Sequence, residues 1–69
     1  TRWRAWRSEE VPIGKVIKTK LGGSVWLIVG VTIDGLVGIG NNGRFSLEDV
    51  HTHYINLDDS PCGVEEVVG

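Results

Sequence analysis

The strongest pattern runs from Ser24 to Gly40. Odd positions Val25, Leu27, Val29, Val31 and Ile33 are all apolar and mostly β-branched, the period of two that marks a strand. Asp34-Gly35 follows and predicts a two-residue type I′ hairpin turn. That turn sets Ile33 opposite Leu36, Val31 opposite Gly38 and Val29 opposite Gly40. The other face then holds Trp26, Ile28, Gly30, Val37 and Ile39. Both faces of the hairpin are therefore apolar, whereas a solvated outer face would alternate with polar residues. The reading assigns the odd face to a barrel interior, with Gly38 and Gly40 allowing the ribbon to bend. It leaves Trp26, Ile28, Val37 and Ile39 to be covered by the N-terminal segment, another subunit or a ligand.

Shorter elements flank this ribbon. Val11 to Lys20 reads as a strand beginning near Pro12, and Gly22-Gly23 links it to the hairpin. Asn41-Asn42-Gly43 is a turn. Ser46 to Asp49 predicts one helical turn with Ser46 as its N-cap. His51 to Leu57 predicts a strand, Asp58 to Pro61 a turn, and Val64 to Val68 a last strand. The sum is an all-β fold, a small SH3-like barrel of about five antiparallel strands with one short helical turn. It forms a single domain over residues 1–69, with 1–8 as an N-terminal arm.

Size changes the picture next. A chain of 69 residues supports a core worth about 3–5 kcal/mol net, and domains this small usually add a disulfide, a metal or self-association. Cys62 is the only cysteine, so an internal disulfide is impossible. His51, His53 and Cys62 fall short of the four ligands of a structural zinc. No metal and no cofactor is expected, and a homo-oligomer is. The apolar run at 25–33 is too short to cross a bilayer, which leads us to expect no membrane association and a cytoplasmic location.

Net charge is −2, but it is unevenly spread. Residues 1–20 carry six basic side chains against two acidic ones, net +4, and residues 21–69 carry one against seven, net −6. An anionic ligand should prefer the first twenty residues; alternatively, the two ends neutralise each other within a chain or between subunits. The opening Thr-Arg-Trp-Arg-Ala-Trp-Arg interleaves guanidinium forks with indole faces. Arginine pairs with phosphate in bidentate fashion and tryptophan stacks on bases. The candidate ligand-binding set is Arg2, Arg4, Arg7, Lys15 and Lys18 for phosphates, with Trp3, Trp6 and Trp26 for stacking. The competing reading has Trp3 or Trp6 covering the hairpin, with arginine stems packed beside it. Nucleic acid is a poorer fit, because the chain is acidic overall.

Other chemistry is sparse. Cys62 lies near Asp58, Asp59, Glu65 and Glu66, which should raise its pKa, and it reads as a small buried residue. His51 and His53 read as two imidazoles on one strand face. Residues 38–43 carry glycines at a spacing seen in dinucleotide folds, but no long helix follows. No catalytic set is visible, so an enzyme is not expected.

One resemblance rests on Trp6, Glu9-Glu10-Val11-Pro12-Ile13-Gly14, Trp26-Leu27-Ile28-Val29-Gly30-Val31, Ser46-Leu47-Glu48, Tyr54 and Pro61-Cys62-Gly63-Val64. Over Arg4 to Glu66 the chain resembles small uncharacterised bacteriophage and prophage proteins of Src-homology-3-like outline. In size, β content and expected oligomerisation it is also similar to phage sponges that sequester nucleotide signals of bacterial defence. These resemblances imply a non-enzymatic binding protein that oligomerises and sequesters a small anionic ligand, a nucleotide or cyclic nucleotide that serves as an immune signal of the bacterial host. The alternatives are a protein-interaction module acting on a host or phage protein, and a single-stranded nucleic-acid binder.

Overall fold

Alternation of apolar residues with glycine or polar ones produces the main sheet. A computed structural model describes residues 1–68. Among these described residues are seven strands: β1 (Arg2–Arg4), β2 (Val16–Thr19), β3 (Val25–Val31), β4 (Val37–Asn41), β5 (Arg44–Glu48), β6 (Tyr54–Asn56) and β7 (Val64–Glu66). A 3-10 turn covers Ser8–Glu10, and the single α-helical turn, α1, is Val50–His53. Five strands form one antiparallel sheet in the order β5-β4-β3-β2-β6, and β1 pairs with β7 in a second, two-stranded sheet. The result is a small all-β domain with one short helix, as the sequence reading expects.

The turns explain how that reading must be corrected. Asp34-Gly35 does not make a two-residue loop. Thr32 N–H donates to Leu36 O at 2.8 Å, Gly35 N–H to Thr32 O at 3.0 Å, and Leu36 N–H to the Thr32 hydroxyl at 3.1 Å. The loop is thus Ile33-Asp34-Gly35, with only Gly35 at positive φ (86°), the three-residue hairpin form. Val31 pairs with Val37 and Gly30 with Gly38, and the register shifts again between Ile28 and Gly30, so that Ile28 pairs with Ile39. The two-residue turn lies instead at Asn42-Gly43, with φ of 48° and 81°, between paired Asn41 and Arg44.

The buried face is the opposite of the one assigned to the interior, and of the odd residues the register changes bring only Val31 to the side of Val37. Ile28 and Ile39 are fully buried and Val37 nearly so, while Val25, Leu27 and Val29 are exposed. The core is built from Ile17, Ile28, Val37 and Ile39 of the sheet, closed by Val11, Val50, Tyr54 and Cys62, with Trp6, Trp26 and Val31 packed against it. The bulge at Val29 lets Val31 join the core although Leu27 and Val29 do not. The even face is therefore covered by the chain's own flanking segments, and no second subunit is needed there.

Three further boundaries differ. Residues before Val16 are not strand: Pro12 supplies no N–H, Gly14 has φ of 91°, and Lys15 N–H closes a turn on Pro12 O. Ser46 caps no helix; it lies inside β5 opposite Ile39, and its hydroxyl donates to Glu48 at 2.8 Å. Helix α1 starts after Asp49 and takes in His51 and His53, so these two do not share a strand face. The arm, for its part, is ordered as β1.

Candidate functional site

The basic N-terminal residues meet acid within the same chain. On β1, Arg2, Trp3 and Arg4 lie opposite Glu66, Glu65 and Val64. Arg4 sends a fork to both carboxylate oxygens of Glu10, at 2.7 and 2.8 Å, and its Nε donates to Glu66. The 3-10 turn aims Glu10 back at this point, where its carboxylate also accepts the Arg7 N–H at 2.9 Å. The Arg4 fork first, then the Arg7 amide, hold the Glu10 pKa down at about 2, against 4.5 ordinarily. The same carboxylates hold the Arg4 guanidinium firmly charged. This is the neutralisation between opposite ends that the charge distribution allowed.

The other expected ligand residues are scattered or engaged. Lys18 pairs with Asp59 at 2.6 Å. Lys15 Nζ stands 5.8 Å above the Trp6 ring centre, within range of a cation–π contact. Trp6 and Trp26 pack against the core, and the Trp26 indole N–H is buried without an acceptor. Trp3 is half-buried on β1, Arg7 is exposed, and Arg2 is exposed with only a 3.9 Å approach to Glu66. The structure does not gather the eight into one pocket. A shallow cleft of about 350 Å³ lies elsewhere, lined by Thr19, Lys20, Leu21, Thr52 and His53. Its two hydroxyls serve their own turns, Thr19 donating to Leu21 O and Thr52 to Asp49.

Cys62 is wholly buried, and burial raises its pKa. Lys15 and Lys20 pull the other way, so the acidic neighbours expected to cause the shift are not its source. His51 Nδ1 lies 2.8 Å from Cys62 O, which makes it a donor to that carbonyl and ties α1 to the segment before β7.

The feature that sequence reasoning assigned to the interior is the outer face of β3, β4 and β5. Val25, Leu27 and Val29 are 50%, 41% and 38% exposed, and Phe45 and Leu47 are 73% and 54% exposed. Between them run Gly38 and Gly40 of β4, paired with Leu47 and Phe45 on one side, while Leu27 flanks Gly40 on the other. A methyl at Gly40 would touch only Val29 and Phe45 side chains and the Arg44 carbonyl. Gly40 therefore leaves a short furrow walled by apolar side chains, whereas Gly38 is buried and an added methyl there would meet the Gly30 carbonyl oxygen at 3.6 Å. The signal for it was the period-two pattern at 45 and 47, which the assignment of a helical turn there concealed.

Comparison with protein-family models, curated proteins and solved structures gives no significant match. Among the described residues no helix is long and apolar enough to cross a membrane.

Proposed function

We propose that the protein is a non-enzymatic interaction module that takes an apolar protein surface on the outer face of β3–β4–β5. The observation that carries this reading is the contiguous exposure of Val25, Leu27, Val29, Phe45 and Leu47. Apolar side chains clustered on one face of a small domain mark a contact surface, whereas isolated ones do not. The furrow at Gly40, where an added methyl meets only ordinary contacts, offers room for a side chain of a partner. The resemblance to phage proteins makes a bacterial host protein the class to test. Affinity capture from bacterial lysate should recover one stoichiometric protein with the wild-type chain. Leu27→Glu combined with Leu47→Glu should lose it, while the fold survives because both positions lie outside the core. Capture that is absent, or unchanged by the double variant, overturns the reading.

A second reading keeps sequestration of a small anionic ligand, such as a cyclic nucleotide, by the N-terminal segment. It is favoured by Lys15 standing over Trp6 and by exposed Arg2 and Arg7. Engagement of Arg4 and Lys18 in internal ion pairs weighs against it. Calorimetry with cyclic di- and trinucleotides and cyclic ADP-ribose isomers decides it: heat that disappears in Arg2→Ala with Arg7→Ala supports it, and no heat removes it.

A further inference from the structure

We infer that two copies of this chain join edge to edge along β5, antiparallel, with Ser46 of each copy at the two-fold axis. This edge adjoins the outer face and shares Phe45 and Leu47 with it, but the inference does not rest on the partner proposed for that face. The main sheet has two edges. Strand β6 has three residues, and its Ile55 is bridged to Pro61 by the following turn. Strand β5 has five residues and carries no proline or bulge, and its middle is Phe-Ser-Leu. An edge of that kind is what proteins ordinarily block.

The turn at Asn42-Gly43 fixes which backbone groups are open. A two-residue hairpin makes Asn41 and Arg44 a hydrogen-bonded pair, and alternation gives the same to Ile39/Ser46 and Val37/Glu48. The N–H and C=O groups of Phe45 and Leu47 then point away from β4. Among the described residues they enter none of the backbone bonds outside the strand ladders. A second β5 running the other way can satisfy all four groups, Phe45 exchanging bonds with the partner's Leu47 and Leu47 with the partner's Phe45.

Charge selects this register over its neighbours. Arg44 and Glu48 stand at opposite ends of β5, two residues either side of Ser46. Centring on Ser46 places Arg44 of each copy opposite Glu48 of the other, in a pair whose side chains approach closely. A shift by two residues either way loses both pairs. Neither residue takes part in any ion pair found among the described residues. Phe45 and the partner's Leu47 then meet on the outer side, so the two apolar faces become continuous.

Light scattering of the full chain at high micromolar concentration tests this. The wild type should show twice the 7.5 kDa chain mass. Arg44→Glu alone and Glu48→Arg alone should each weaken the dimer at least about tenfold, since each turns attraction into like-charge opposition. Arg44→Glu combined with Glu48→Arg should restore it. Circular dichroism checks that each variant folds; Arg44 is exposed and its change leaves the core alone. A monomer at all concentrations, single reversals without effect, or a double variant that fails to recover overturns the inference. A monomeric chain that still captures its partner through Leu27 and Leu47 would reject the dimer alone.

Discussion

Gly63→Ala is the sharpest test of how the two sheets are joined. A methyl built on Gly63 would lie 2.2 Å from the Arg4 carbonyl oxygen and 3.0 Å from His51 Nδ1. Ordinary contact begins near 3.4 Å, so β1 must retreat by more than 1 Å or β7 must tilt. Neither obstacle is a flexible side-chain end. The oxygen belongs to a β1 backbone pinned by three carboxylate contacts of Arg4, and His51 is held on Cys62 O. Forced overpacking typically costs about 1–3 kcal/mol, and a backbone obstacle belongs at the upper end. In a domain of this size, about 2–3 kcal/mol lowers Tm by roughly 10–20 °C. Thermal melts by circular dichroism read that shift, and amide exchange locates it. Protection should be lost at Arg2–Arg4 and Val64–Glu66 before it is lost at Ile28 and Ile39. Gly30→Ala is the control: nothing lies within 4 Å of its added methyl, and Tm should hold or rise slightly. If Gly63→Ala melts within about 2 °C of the wild type and keeps its Arg4 protection, the close approach of β1 to Gly63 is wrong.

Two further outcomes follow from the site chemistry. Glu10 has its pKa lowered to about 2 from 4.5, so its ionised form favours the folded state. That stabilisation is complete above about 4.5 and is lost as pH falls through the interval down to about 2. Tm should fall across that window, and Glu10→Gln should flatten the fall while lowering Tm at neutral pH; an equally steep slope in the variant refutes the role of the Arg4 fork. Cys62 is fully buried with its pKa raised. A thiol reagent at mildly alkaline pH should therefore label it slowly in the folded protein and rapidly in denaturant, and fast labelling of the native chain would contradict its burial.

Local signals in the sequence carried the class of the fold well. Period-two runs and glycine turns suffice to place most strands, because each signal acts within a few residues, whereas the strand start read at Pro12 was four residues early. The N-terminal arginines were legible as chemistry but not as partners. Glu10 stands six positions from Arg4, but the spacing alone does not show that a 3-10 turn folds it back, and Glu66 lies 62 positions away. Hairpin register failed for a more specific reason. Thr32 offers a hydroxyl to the Leu36 N–H, which competes with the type I′ turn that Asp34-Gly35 would otherwise favour. The bulge at Val29 then moves the pairing by another residue.

That failure bears on function, because a ribbon greasy on both sides can be folded either way by pattern alone. The decision comes from segments with no strand pattern of their own. Trp6, Val11, Val50 and Cys62 all arrive on the even side and seal it. They reach that side because β1 docks on β7 and because α1 is tied through His51 to Cys62 O. Once one side is sealed, the residues left outside are fixed: Leu27, Val29, Phe45 and Leu47 have no further chain to cover them within the described residues. An arrangement that spends the flanking segments on one face leaves the other available for contact. Gly40, which adds nothing to the core, sits on that available side between Leu27 and Phe45. Filling Gly40 with alanine should therefore alter partner binding more than stability, since its methyl meets only ordinary contacts at 3.5–4.0 Å. A stability loss with binding unchanged would place the furrow's role in folding instead.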